Sequence, residues 1–200
     1  LVVGYHANRV RSHFGSTYRD TPITYHTQTN QLGSGHALMQ ARDGPHGSFL
    51  LVNGDQVIDS EIVKAVSTAH DTTATLSIVE GAEADSYGAV RMTDDEITTL
   101  TEQPASGEFR LFNAGVYAFT QEIFETLETL SVDRGELPLT DAIQALIDDE
   151  TQTVSGVRTD SFWMDATHPW DLLSLARELL GRGWVEPPTD SDGCYVADTA

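Results

Sequence analysis

Several features that would assign the chain to a particular class of protein are scarce or absent. One cysteine, Cys194, occurs in 200 residues, which excludes an intrachain disulfide bond and a zinc site built from several thiolates. The sequence contains no run of about eighteen consecutive apolar residues, so we expect no membrane-spanning helix. A basic segment followed by an apolar one is also missing, so we expect no signal peptide. These absences predict a soluble, cytoplasmic protein.

Basic side chains are equally scarce. Lys64 is the single lysine, and 11 Lys and Arg residues stand against 31 Asp and Glu residues, giving a net charge of −20 at pH 7. Such a surface repels phosphate backbones and anionic lipids, so we expect neither a nucleic-acid partner nor a membrane partner. The acids are spread along the chain and salt would screen their repulsion, which suggests adaptation to a salt-rich cytoplasm.

Strands and helices alternate in the first half of the chain. The apolar run Phe49–Val52 predicts a short buried strand, and Ala74–Val79 predicts the next one. Between them, a helical pattern carries Ile62 and Val66 on one face, with Asp59 or Ser60 as its cap. Short connections between alternating elements are typical of a three-layer α/β domain with a mostly parallel sheet.

The second half has a different pattern. Three predicted strands with little helix between them indicate an antiparallel insertion or a mixed sheet. They are Gly88–Met92, Ile97–Thr101 and Phe112–Phe119. Thr120 and Thr140 are predicted helix caps, and a further strand is predicted over Val154–Met164. The last helix follows Pro169 and carries an apolar stripe that we expect to be buried. The stripe consists of Leu172, Leu173, Ala176, Leu179 and Leu180.

One domain is predicted over residues 1–184, with a linker or tail over residues 185–200. The chain opens directly in the apolar run Leu1–Tyr5, which is of the kind found inside a parallel sheet. We therefore expect an N-terminally truncated domain that lacks a segment before residue 1.

Acidic residues follow two of the predicted strands. Asp55 comes after Phe49–Val52, and Asp165 ends the strand over Val154–Met164. Ligands of open α/β sheets bind at the carboxyl ends of strands, where two converging carboxylates would suit Mg²⁺ on phosphate oxygens. The turn Gln31–Gly35 opens a helix whose amides would take an anion. Structural interpretations stay open beside these, because such residues also form ordinary turns, caps and bends.

Short motifs occur in a characteristic order along the chain. They are Val2–Tyr5, Gln28 with Gln31–Ala37, Asn53–Asp55, Tyr87–Val90, Glu102–Pro104, Asn113–Tyr117, Leu139–Ile143, Trp163–Asp165 and Pro169–Leu173. In this order they resemble the motifs of the sugar-1-phosphate nucleotidyltransferases, over residues 1–184. No single motif is specific, and the specificity lies in their order.

The resemblance implies a Rossmann-like fold and the reaction of an NTP, either UTP or dTTP, with a sugar 1-phosphate to give an NDP-sugar and pyrophosphate. It implies in-line attack without a covalent enzyme intermediate. Asp55 and Asp165 would be the catalytic pair that holds Mg²⁺. The nucleotide would be bound by Gln28, Gly33, Ser34 and Gly54. The sugar would be bound by Tyr87, Gly88, Glu102 and Asn113. Assembly into a homo-oligomer is left open.

Two departures from the family's pattern bear on activity. The family's glycine-rich loop would precede Leu1, and Gln103 stands where the family usually has a lysine that neutralises the sugar phosphate. We therefore expect little turnover from these 200 residues, and an exposed apolar edge at the strand before Asp55.

Two other functions stay open. One is a non-catalytic relative that binds nucleotide sugars or regulates another protein. The other is a phosphatase-like hydrolase with Asp55 as its nucleophile. Val57 disfavours the hydrolase, because such chemistry normally needs a second carboxylate two residues further on.

Overall fold

The computed structural model describes residues 1–81, 87–102, 104, 109–130 and 135–185. Two compact units are present, the first formed by Leu1–Asn53 with Asp59–Ser161 and the second by Gly54–Ile58 with Phe162–Ala200. Of the predicted linker, only residue 185 lies within the described residues.

The first unit contains five helices and ten strands among its described residues. The helices are α1 (Ala7–Phe14), α2 (Ser34–Met39), α3 (Ser60–Ala69), α4 (Glu122–Thr129) and α5 (Leu139–Asp148). The strands are β1 (Val2–Val3), β2 (Thr17–Tyr18), β3 (Thr21–Pro22), β4 (His26–Thr27), β5 (Phe49–Val52), β7 (Ala74–Glu80), β8 (Ala89–Thr93), β9 (Glu96–Thr101), β10 (Leu111–Phe119) and β11 (Val154–Arg158). The second unit contains β6 (Gln56–Ile58), β12 (Trp163–Asp165) and α6 (Asp171–Gly181).

A six-stranded mixed sheet forms the centre of the first unit. Its strand order is β5-β10-β7-β11-β9-β8, and β8 also pairs with the start of β10. Strands β5, β7, β8 and β11 run in one direction, and β9 and β10 run in the other. Most strands therefore share a direction, although β7–β11 is the only parallel pair of neighbours in this sheet among the described residues. The predicted α/β class with a mixed sheet is confirmed.

Helices pack on both faces of this sheet because side chains alternate along each strand. On one face, Leu76 and Ile78 of β7 belong to a buried cluster with residues of α2, α4 and α5. Helix α3 packs against β7 and β10, and its Ile62 and Val66 are buried outside that cluster. The Asp59 side chain caps α3 by accepting a hydrogen bond from the backbone of Glu61 at 3.0 Å. These layers are the ones that the alternating pattern predicts.

Strand β5 lies at an edge of the sheet and pairs, among the described residues, with β10 alone. Its Leu50 and Val52 side chains are 43% and 42% exposed. The apolar edge expected at this strand is therefore present. Aggregation through that edge stays a prediction.

Three local predictions were wrong. Helices α4 and α5 begin at Glu122 and Leu139, so neither Thr120 nor Thr140 is a cap residue. Pro138 occupies the cap position of α5, where its fixed φ favours the start of a helix.

The predicted strand over Val154–Met164 is divided between β11 and β12, which belong to different units. In α6, only Leu175 is buried, while Leu172 and Leu173 are 57% and 76% exposed. The apolar stripe expected to be buried is therefore mostly exposed.

Helix length bears on the predicted absence of a membrane span. Among the described residues the longest helix is α6, with eleven residues, and none of these helices is suited to crossing a bilayer.

His70 follows α3 and is held in a partly buried polar network. Its Nδ1 atom lies 3.0 Å from Oγ1 of the fully buried Thr75, and its Nε2 atom is buried without a hydrogen-bond partner among the described residues. Burial lowers the pKa of His70 below its usual value of 6.5, and the nearby charge of Asp71 opposes this shift. The folded protein therefore favours the neutral imidazole.

We expect the protein to lose stability as the pH falls below about 6.5. Below this pH the unfolded chain takes up a proton at residue 70 more readily than the folded one. The contribution of the neutral ring is complete above pH 6.5 and is lost as the pH falls through the lowered folded pKa. Urea unfolding between pH 5 and 8 measures this loss. His70→Asn is expected to flatten the profile, and the exposed His46→Asn to leave it unchanged; equal profiles for all three proteins would contradict the assignment.

Candidate functional site

Three of the four residues expected to bind the nucleotide, Gln28, Gly33 and Ser34, form one group in the first unit, whereas Gly54 belongs to the second unit. Gln28 follows β4, and its backbone N–H donates to the Val3 carbonyl at 2.9 Å. Its carboxamide nitrogen donates to the Gly33 carbonyl at 3.0 Å and lies 2.9 Å from Nδ1 of His36. The side chain of Gln28 is therefore buried and fixed against the turn that the sequence singled out.

That turn is fastened to a segment more than 100 residues away in the sequence. The Leu137 carbonyl accepts hydrogen bonds from the backbone N–H groups of Gly35 and His36, at 2.9 and 3.3 Å. The backbone N–H of Leu139 donates to Oγ of Ser34 at 2.9 Å. An ordinary side chain at Gly33 would not fit, because φ is +97° and a Cβ atom would lie 2.7 Å from the Leu137 carbonyl oxygen.

Two of the amides expected to bind an anion at the start of α2 are already engaged. This helix has six residues, and the amides of Gly35 and His36 at its beginning are already donated to Leu137. Gly33 and Gly35 allow the turn to pack closely against Leu137. The N–H groups of Gly35 and His36 are therefore not free to bind an anion.

Four residues expected to bind the sugar lie at the ends of neighbouring strands of the same unit. The Gly88 carbonyl accepts a hydrogen bond from the backbone N–H of Asn113 at 2.9 Å. The Tyr87 ring stacks on Phe112 with a centroid distance of 5.0 Å. A Cβ atom at Gly88 would contact the side chains of Thr140 and Asn113 within 4 Å.

Glu102 joins this group through Thr140. The Thr140 hydroxyl donates to the Glu102 carboxylate at 2.6 Å, and the carboxylate is otherwise exposed. Thr140 was predicted only as a helix cap. It is instead the residue that fixes the orientation of Glu102. The neighbouring Gln103 lies outside the described residues.

Asn113 also supports an irregular stretch of β10. Its side chain accepts from the Gly115 N–H at 3.1 Å and donates to the Tyr117 hydroxyl at 2.7 Å. The register between β10 and β7 shifts over these residues, and Gly115 has a φ of +74°. Asn113 therefore has a definite structural role. Its contact with a sugar stays a prediction.

The two acidic residues expected to hold Mg²⁺ lie on neighbouring backbone segments in the second unit. Strands β6 and β12 pair antiparallel, with Asp165 opposite Gln56, and the Ala166 N–H donates to the Asp55 carbonyl at 2.8 Å. The ladder therefore makes neighbours of two residues that are 110 positions apart. Gly54, at the turn before β6, has no atom within 4 Å of where its Cβ would lie, so space is open beside it.

The donor set of this ladder fits a hard divalent cation. Asp55 is exposed, and Asp165 is partly buried with one carboxylate oxygen accepting from the Thr167 hydroxyl at 2.6 Å. The carboxamide oxygen of Gln56 is buried without a hydrogen-bond partner among the described residues. The described part of the chain contains no cluster of three or more His, Cys, Asp or Glu side chains suited to a metal. A Mg²⁺ ion here would therefore take its remaining ligands from water or phosphate, as this ion commonly does.

Sequence reasoning placed His36 near the proposed site but gave it no role, and it gave Thr140 only a cap role; the structure places both beside predicted site residues. A signal existed for His36, because it lies one helical turn after Gly33. None existed for Thr140, whose contact with Glu102 depends on the tertiary fold.

The fold is that of solved nucleotidyltransferase structures. A solved structure of UDP-glucose pyrophosphorylase complexed with UDP-glucose has a TM-score of 0.78 and 18% identity, with 90% of this chain and 80% of that one covered. The model of the nucleotidyl transferase family matches residues 1–181. The chain therefore belongs to the nucleotidyl transferase family, which confirms the resemblance drawn from the motifs.

Curated relatives agree with this assignment. The chain is 35% identical to the bifunctional protein GlmU of Methanococcus maripaludis over 91% of its own length, which is 43% of that relative. It is 32% identical to the UTP–glucose-1-phosphate uridylyltransferase AglF of Haloferax volcanii, covering 86% of this chain and 72% of that one. The chain thus spans less than half the length of the GlmU protein that it matches.

Proposed function

We propose that the protein transfers a nucleotidyl group from UTP or dTTP to a sugar 1-phosphate, releasing pyrophosphate. The observation that carries this proposal is the β6–β12 ladder, which pairs Asp165 with the residue next to Asp55. The similarity to the UTP–glucose-1-phosphate uridylyltransferase AglF supports UTP and glucose 1-phosphate as the first substrates to test.

The reaction needs charge neutralisation and alignment more than covalent chemistry. A phosphate oxygen of the sugar 1-phosphate forms a bond to the α-phosphorus of the NTP as the bond from that phosphorus to the pyrophosphate oxygen breaks. Mg²⁺, when bound by Asp55 and Asp165, would neutralise the phosphate oxygens. Gln28, Gly33 and Ser34 would hold the base. A sugar hydroxyl would donate to the Glu102 carboxylate, which Thr140 keeps in place.

The proposal is tested by incubating the protein with Mg²⁺, UTP or dTTP and glucose 1-phosphate or N-acetylglucosamine 1-phosphate. We expect slow formation of an NDP-sugar by phosphorus NMR, because little turnover is expected of these 200 residues, and pyrophosphate release that requires the sugar phosphate. Binding of a UDP-sugar without turnover would instead favour the non-catalytic alternative. Absence of both binding and turnover would overturn the proposal.

Glu102→Gln is expected to raise KM for the sugar 1-phosphate about tenfold and to change KM for UTP little, because a carboxylate acceptor is about 1.4 kcal/mol better than a neutral amide here. Initial rates with either substrate varied measure the two constants. Glu96→Gln, on the exposed start of β9, is the matched control. An equal rise in both KM values would contradict a role at the sugar.

A further inference from the structure

We propose that His36 is a positioning residue that fixes which way round the Gln28 carboxamide lies. As a result, the site formed by Gln28, Gly33 and Ser34 selects a base with a protonated ring nitrogen, such as uracil or thymine, over cytosine. The proposal rests on the proposed function, because it concerns the recognition of the same nucleotide.

The orientation of the Gln28 carboxamide follows from the chemistry of its partners. The Gly33 carbonyl oxygen can only accept a hydrogen bond, so the carboxamide atom 3.0 Å from it must be the NH₂ nitrogen. Assigning the oxygen to that position would place two acceptors in contact. The Gly33 contact therefore favours the orientation with the nitrogen inward, toward the turn.

His36 accepts a hydrogen bond from the second N–H of the same NH₂ group. Its Nδ1 atom lies 2.9 Å from the Gln28 nitrogen, and a ring nitrogen can accept only when it carries no proton. The backbone of His36 is fixed in turn, because its N–H donates to Leu137 and its carbonyl accepts from the Gln40 side chain at 3.1 Å. Both carboxamide protons of Gln28 are thus satisfied by groups that cannot rotate away freely.

The oxygen of Gln28 is then the atom left for a ligand. Among the described residues no donor is hydrogen-bonded to this oxygen. An acceptor held in place recognises a donor, and uracil and thymine carry an N–H at ring position 3, where neutral cytosine carries an acceptor. With cytosine, the lone pairs of the Gln28 oxygen and of the ring nitrogen would face each other. This repulsion disfavours cytosine without any additional protein contact.

The experiment compares UTP with CTP, because the two share their ribose and triphosphate and differ only at the base. Isothermal titration with Mg²⁺ present is expected to give UTP at least about a tenfold advantage in Kd over CTP. His36→Phe keeps a ring but removes the acceptor, and should reduce this ratio several-fold. His36→Asn returns an acceptor close to the position of Nδ1 and should restore the ratio. His46→Phe, the same change at an exposed histidine, should leave it unaltered.

A second measurement needs neither a ligand nor a variant. Nitrogen-15 NMR of the ring of His36 should show Nδ1 acting as a hydrogen-bond acceptor at pH 8. A protonated Nδ1 would overturn the proposal, as would equal ratios for wild type and His36→Phe when UTP binds. Failure of both UTP and CTP to bind would overturn the proposed function as well, so the two failures are distinguishable.

Discussion

Replacing Asp55 and Asp165 together by asparagine is expected to lower kcat/KM by about three orders of magnitude. The double variant keeps the β6–β12 ladder, because the ladder uses backbone groups and the pairing of Ala166 with residue 55 is unchanged. It removes both negative charges that would hold the cation against the phosphates. Loss of one comparable electrostatic contribution to a transition state typically costs a factor of about a hundred to a thousand.

Metal binding and turnover should fall together in this variant. Titration with Mn²⁺ followed by electron paramagnetic resonance measures the first, and pyrophosphate release measures the second. Glu178→Gln is a suitable control, since it removes a charge from α6 of the same unit and only loosens a 3.5 Å ion pair with Arg182. Unchanged Mn²⁺ affinity in the double variant would remove the metal assignment, and the proposed reaction would lose its main support.

Gly33→Ala is expected to lower the free energy of unfolding by about 2–4 kcal/mol and to weaken nucleotide binding more than tenfold. Alanine at φ +97° is strained, and its Cβ atom would lie 2.7 Å from the backbone oxygen of Leu137. A backbone carbonyl cannot rotate aside as a flexible side chain can. The hydrogen bonds that Leu137 accepts from Gly35 and His36 would be lost as the two segments separate.

Gly47→Ala separates the two causes of this loss. Gly47 also has a positive φ, +75°, but no atom lies within 4 Å of its Cβ position. Gly47→Ala should lower the free energy of unfolding by about 1 kcal/mol, which is the cost of placing alanine in the left-handed region alone. Urea unfolding of both variants gives the difference, which belongs to the contact with Leu137. Equal destabilisation of the two variants would show that the contact contributes nothing.

The predictions from sequence succeeded where a local pattern determines the structure. Phe49–Val52 is a strand with the predicted bounds, because an unbroken apolar run of four residues between turn residues leaves few alternatives. Asp59 caps α3 because its short side chain reaches the first free amides of the helix. The motif order was sufficient for the family, since the matched residues 1–181 cover nearly the whole stretch of the resemblance.

The same reasoning failed where tertiary contacts decide. A three-residue strand such as β6 is too short to show periodicity, so only the structure reveals its pairing with β12. The leucines of α6 follow a helical pattern, but Leu172 and Leu173 are exposed. The pattern failed to predict this because amphipathicity does not say how much surface a packing partner provides. The hydrogen bond between Ser34 and Leu139 joins residues 105 positions apart, and no local rule anticipates it.

That distance in the sequence has a consequence for how the protein is made. The ribosome synthesises the turn at Gly33 long before Leu137 and Leu139. The hydrogen bonds between this turn and the later segment can therefore form only after that segment has been synthesised. Closing so long a loop costs chain entropy before any contact is gained. Formation of these contacts is therefore slow compared with formation of a hairpin. The contacts between the turn at Gly33 and residues 137–139 would thus form late in biogenesis, and we expect a nascent chain halted before residue 137 not to bind nucleotide.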